Sequence, residues 1–137
     1  MADAERAESV FINLPVGDVA RSQAFFESLG FEADPRFSAE DRAACIVLSG
    51  TVSAMLLSRE TFGAVSPKPV ANTATMSAVL TCLRVDGRER IDRIMDAALE
   101  SGATESRPPR DQERVYSRAF EDPDGNVWEL LWVDGDA

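Results

Sequence analysis

There is no histidine anywhere in the 137 residues. That absence removes His-based general acid/base catalysis, Ser-His and Cys-His nucleophile activation, and every metal site built on imidazole. Cysteine is nearly as scarce. Cys45 and Cys82 each lie within an apolar run and are read as reduced core residues rather than as a bridge or redox pair. No stretch approaches the ~18 apolar residues of a membrane-spanning helix. The first ten residues, MADAERAESV, are acidic and Ala-rich and lack the apolar segment of a secretory signal, so a cytoplasmic protein is expected. Basic residues are in the minority, 14 against 24 acidic, for a net charge of −10. Such a chain repels phosphate backbones and anionic lipid surfaces, and neither nucleic acid nor membrane is expected as a partner.

What is present fits one soluble globular domain, with 45% hydrophobic and 28% charged residues. The segments VGDVARSQAFFESLGFEA (Val16 to Ala33) and VDGRERIDRIMDAALESGATES (Val85 to Ser106) share a pattern half a chain apart. Each is a strand end, a polar cap, an amphipathic helix, a Gly stop and an extended segment. In the second helix Ile91, Ile94, Met95, Ala98 and Leu99 follow the spacing of one buried face, and Gly102 suits a left-handed stop. In the first, Val19, Phe25, Phe26 and Leu29 turn inward between an Asp18 cap and a Gly30 stop.

Strand-like runs complete each half: SVFINLPV, FEADPRF, AACIVLSG and VSAMLLS around the first helix, then MSAVLTCLRV, TESRPP, VYSRAFED and VWELLWV around the second. A hairpin is expected at Gly50-Thr51. Both halves read βαβββ, with module 1 over about 8–60, a linker holding one helical turn over about 61–75, and module 2 over about 76–134.

Two stretches, LPVGDVARSQAFFESLGF and FEDPDGNVWELLWVD, together with the pseudo-repeat between them, resemble the vicinal oxygen chelate superfamily of glyoxalase I, bleomycin-resistance proteins and extradiol dioxygenases. The match runs from Glu8 to Asp134 and is nearest the His-poor, glyoxalase-like branch. It implies an α+β fold in which two βαβββ modules form a curved mixed sheet around a cleft, with helices on the outer face. It also implies a homodimer, since members commonly complete clefts across paired modules. The family's metal set takes one residue from the first strand, one from the strand opening the second module, and a Glu after the Asp-Pro-Asp-Gly turn. Here the first position falls on Phe11, which cannot bind metal. The second falls within Ser77 to Thr81, which offers no strong ligand, and the third is Glu129. Neither metal nor cofactor is therefore expected.

Glu129 is the one charge in the apolar run Val127 to Val133. Strand alternation puts Val127, Glu129, Leu131 and Val133 on one face and Trp128, Leu130 and Trp132 on the other. The resemblance assigns the Glu129 face, with Phe11 and Asn13, to the cleft. Glu129 is then a ligand contact or a general base, or else a family remnant bonded to a neighbour such as Asn13. Thr81, Tyr116, Arg118 and Leu131 complete the expected ligand-binding set. Tyr116 could equally belong to the core. The basic cluster RPPRDQER (Arg107 to Arg114), with Arg118 beyond it, reads either as a cleft rim or as a solvated loop with its own ion pairs. Asp122 and Asp124 suggest a calcium loop, but Val133 stands where the bidentate Glu would be required, which favours a plain turn.

The expected function is metal-independent binding of an unidentified small molecule. The alternatives are a glyoxalase-type lyase or isomerase using Glu129 with a divalent metal, and a partner-binding module without ligand.

Overall fold

A computed structural model of the protein describes residues 4–135. The chain forms two βαβββ modules in an α+β fold. In the first, β1 (Val10–Val16), α1 (Val19–Ser28), β2 (Glu32–Ala33), β3 (Ala43–Val47) and β4 (Val52–Ser58) make a four-stranded mixed sheet of order β1-β4-β3-β2. In the second, β5 (Leu80–Arg84), α3 (Arg88–Glu100), β6 (Thr104–Gln112), β7 (Val115–Glu121) and β8 (Val127–Val133) repeat it as β5-β8-β7-β6. The short helix α2 (Arg59–Val65) opens the connection between the modules. β1 lies parallel to β4, and β5 to β8, while the other pairs are antiparallel.

The helices form where caps and periodicity place them. The Asp18 carboxylate accepts the Arg21 amide at 2.9 Å, and Gly30 takes a φ of 103° just past the end of α1. Val19, Phe25, Phe26 and Leu29 are buried as expected. In α3, Ile91, Ile94, Met95 and Ala98 are buried, but Leu99 is 38% exposed. Eight residues beyond Ile91, the 3.6-residue turn has carried Leu99 about 80° round, to the margin of the stripe.

Three strand boundaries differ from expectation. FEADPRF is strand only at Glu32–Ala33, after which Pro35–Phe37 form a 3₁₀ turn whose Arg36 amide is accepted by Asp34. MSAVLTCLRV becomes strand only at Leu80, which pairs with Val127 at the start of β8. In the other direction, β6 runs on through the basic cluster to Gln112, with register shifts between Glu105 and Arg107 and between Arg107 and Arg110. Two adjacent prolines are tolerated there because β6 is an edge strand and bulges free the ladder positions that a missing N–H would break.

Both sheets turn one face to a single core. Phe26 of α1 meets Trp128 edge-on at 4.9 Å between ring centroids, and Phe25 lies 5.8 Å from Phe120, so the helix of module 1 also packs on the sheet of module 2. Trp128 and Leu130 are fully buried in that core.

The Asp-Pro-Asp-Gly turn locks the two modules together. Asp122 is 4% exposed and accepts three N–H groups: the amides of Asp124 at 2.9 Å and Asn126 at 3.0 Å on one oxygen, and the Trp128 indole at 3.0 Å on the other. Asp124 reaches into module 1, accepting the Gly17 amide at 2.7 Å and the Arg21 guanidinium at 2.8 Å. Asn126 donates to the Pro15 carbonyl at 3.3 Å. Gly125 has φ 88°, and a Cβ there would lie 2.2 Å from the Thr73 carbonyl oxygen, so only glycine lets the linker pass. The plain turn is what forms, with its carboxylates given to backbone and side-chain donors of the chain.

Candidate functional site

The second sheet's face away from the core carries the charge that the sequence left unexplained. Along β8, Trp128 and Leu130 point into the core, while Glu129 points the opposite way, its Cα opposite Cys82 of β5 and Ala119 of β7. Beyond Ala119 the next strand places Arg107, whose guanidinium Nη2 donates to the Glu129 carboxylate and, at 3.1 Å, to the Ser117 hydroxyl. The two charged side chains are 36% and 26% exposed. A half-buried carboxylate thus has its compensating charge, from the edge strand two places away. Although Cys82 as a whole is exposed, partial desolvation at the sheet face and then the neighbouring Glu129 carboxylate push its thiol up to about 11, so it is a protonated thiol at neutral pH.

The remaining expected residues divide between the two faces. Leu131 shares the Glu129 face, its Cα opposite Ser117 and Arg84. On the other sheet Phe11 meets Phe37 edge-on at 5.2 Å, and Asn13, two residues further along, lines a cavity beneath the linker. Glu129 takes Arg107 as its partner, not Asn13, which belongs to the other sheet.

Thr81, Tyr116 and Arg118, also expected at a ligand, lie on the opposite side of their sheet from Glu129. Thr81 is opposite Trp128, Tyr116 opposite Trp132, and Arg118 opposite Leu130. Tyr116 donates its hydroxyl to Asp92 of α3 at 2.6 Å. Arg118 bridges Asp92 at 2.9 Å and Glu105 at 3.0 Å through two nitrogens. The bond from Tyr116, then those from Arg118, hold the Asp92 carboxyl below its usual range. Tyr116 and Arg118 thereby fasten α3 and β6 to the sheet. Pairing register, which a single strand's sequence does not contain, decides which face each one joins.

Cys82 is a correction to its expected place in the core. It is exposed on the Glu129 face, whereas Cys45 is fully buried, and neither thiol is paired. The apolar run around Cys82 belongs to an edge strand, where both faces are only partly covered. Ser117 and Cys82 beside Glu129 were not among the expected site residues, and Arg107 was expected only as part of a basic cluster that could form a cleft rim or a solvated loop. The basic cluster drew attention to Arg107, but only the two bulges of β6 bring it over Ser117.

The residues present do not suit a divalent metal. A guanidinium already sits within bonding distance of the Glu129 carboxylate, and a cation placed there would meet it. Phe11 in β1 offers no donor atom, and the stretch Ser77 to Thr81 leading into β5 offers no strong ligand. Among the described residues no three His, Cys, Asp or Glu side chains converge.

Two βαβββ modules sharing one helix-filled core, latched by an Asp-Pro-Asp-Gly turn and carrying one Glu on the outward face of the last strand, define a protein of paired modules. A family model for the glyoxalase/bleomycin resistance protein/dioxygenase superfamily matches residues 9–130, and the chain belongs to that superfamily. Among solved structures it is similar to the hypothetical protein SA1046 from S. aureus, at 24% identity and a TM-score of 0.79, over 93% of this chain and 95% of that one. It is also similar to a glyoxalase/bleomycin resistance protein/dioxygenase family enzyme from Burkholderia phytofirmans PsJN, at 18% identity and TM-score 0.71, over 90% and 96% of the two chains. A glyoxalase-related enzyme from Fulvimarina pelagi gives 18% and 0.73, over 90% and 86%. At these identities the likeness is one of fold. No curated protein matches the chain. No helix among the described residues is long and apolar enough to cross a membrane.

Proposed function

We propose that the protein binds a small molecule without a metal, on the outward face of its second sheet, and that it does so as a homodimer. The observation that carries this reading is the Arg107–Glu129 pair: two half-buried charges in a row with Cys82 and Ala119, turned away from the core and beside Ser117 and Leu131. A half-buried pair joining Glu129 of the otherwise apolar β8 to Arg107 of the edge strand β6 has little to offer stability over a hydrophobic substitute. It does supply fixed donors and an acceptor to a ligand laid against the sheet. The pair is nearly neutral as a unit, so it favours a polar molecule that both accepts from the guanidinium and donates to the free carboxylate oxygen.

A second copy of the chain would cover the outward faces, where Phe11, Phe37 and Leu80 are exposed at 41%, 46% and 60%.

Native mass spectrometry of the purified protein tests both parts. The expected spectrum is a dimer carrying a small-molecule adduct, with the adduct lost from Glu129→Gln and from Arg107→Met while both variants still fold. An adduct retained in both variants, or an adduct-free protein that binds none of a panel of small hydroxy acids and amino acids, would reject this site. Elemental analysis of the same sample is expected to find no stoichiometric transition metal. Near-equimolar metal that disappears in Glu129→Gln would replace the metal-free reading by the metal-dependent one.

A further inference from the structure

A cavity of about 190 Å³ lies between β1 and the connection joining the modules, away from Glu129. Its walls include Asn13, Phe62, Pro69, Met76 and Val79, and none of its thirteen lining residues ionises. In a chain with 28% charged residues this is a pronounced local exclusion. A charged ligand would shed its hydration there and meet no counter-charge. A neutral one would lose little. The volume is comparable to the ~150 Å³ apolar cavities that take one benzene-sized ring.

One wall group is polar and uncommitted. The Asn13 side chain is exposed and bonded to no other side chain among the described residues, so its amide offers both a donor and an acceptor to whatever enters. The roof is held from several sides. Arg59 donates to the Ala71 carbonyl at 3.1 Å, the Thr73 hydroxyl donates to the Asp124 carbonyl, and Thr73 rests directly on Gly125. A connection pinned in this way leaves the cavity open before any ligand arrives, which reduces the ordering cost of binding.

We propose that this cavity is a second binding site, for a neutral molecule of about one ring that presents an amide or hydroxyl group to Asn13. The site is independent of the Arg107–Glu129 site and stands or falls separately.

Titration of the ¹⁵N-labelled protein with benzamide, phenol, toluene and benzoate tests it. Benzamide or phenol is expected to shift the amide signals of Phe62 and Val79 saturably, with Kd at or below about 10 mM, the modest end of ligand efficiency for so few atoms. Toluene should bind about tenfold more weakly, the difference that one hydrogen bond makes, and benzoate should not saturate. Asn13→Leu is expected to remove the preference for benzamide over toluene. Ala78→Trp, a change at an exposed position of the mouth, is expected to block all of them. Glu129→Gln should leave these affinities unchanged, so failure of this site is told apart from failure of the other. Absence of saturation by every probe, shifts confined to another surface, or undiminished binding to Ala78→Trp would overturn the proposal.

Discussion

Asp122→Ala is expected to lower the unfolding free energy by roughly 3–5 kcal/mol at neutral pH, seen as a melting temperature about 10–15 °C lower. The carboxylate is the sole acceptor given to three N–H donors at one buried corner, and removing it strands all three. Asp122→Asn should cost less. One amide oxygen keeps the two backbone donors, but its NH₂ then faces the Trp128 indole N–H, donor against donor. The deficit also has a pH signature. Burial pushes the Asp122 carboxyl up to about 6, outweighing the donors that pull it down. The folded protein therefore holds this proton more tightly than the unfolded chain does. The stabilisation this gives is full below about pH 4 and is lost as pH rises through about 6. Measured by denaturant titration, the gap between wild type and Asp122→Ala should widen by up to about 3 kcal/mol as pH falls across that window. A gap that narrows on acidification would mean the buried carboxylate is ionised throughout and that its donors dominate.

Ile94→Asp is expected to cost on the order of 5 kcal/mol, enough to leave much of the protein unfolded, because a typical domain has only about 5–15 kcal/mol in hand. Ile94 is 3% exposed between α3 and the second sheet, in a cluster with Ile91, Met95 and Leu130 that holds no cation to meet a new carboxylate. The companion change Leu99→Asp, at a residue 38% exposed, should stay within about 1 kcal/mol of wild type. Circular dichroism melts of the two variants test the rotational phase of α3 directly. Equal losses would mean that the helix is turned so that both positions face the sheet.

Much of the architecture was legible because it rests on local rules. The strand VWELLWV became β8 over Val127–Val133, the Asp18 cap and Gly30 stop bounded α1, and side-chain alternation gave the separation of Glu129 from Trp128. Internal repetition exposed the two modules, since each helix with its four strands follows the same order of caps and periodicities. The buried phase of α3 was read correctly through Ala98 and failed only at Leu99, where the stripe ends.

The site was legible only in part. Glu129 stood out because a lone carboxylate in an apolar strand demands a partner, a requirement of desolvation that no context is needed to see. The partner's identity was hidden. Arg107 reaches Glu129 across Ala119 through two bulges in β6, and bulge positions leave no reliable trace in composition. Tyr116 and Arg118 carried the right chemistry for a ligand and went to α3, because the register of β7 against β8 put them opposite Trp132 and Leu130.

By itself the sequence determined the elements, their order, the repeat and the exclusion of imidazole chemistry, all of which follow from residue type, spacing and the geometry of one helix or strand. Tertiary structure alone decided which charges meet, that Cys82 faces outward while Cys45 is buried, and that the linker roofs a neutral cavity beside Asn13. Those outcomes depend on inter-strand register and on where a connection is pinned. Both are set by contacts between residues far apart in the chain, such as Gly17 with Asp124 and Thr73 with Asp124. Local propensity acts over a few residues and has no term for such pairs.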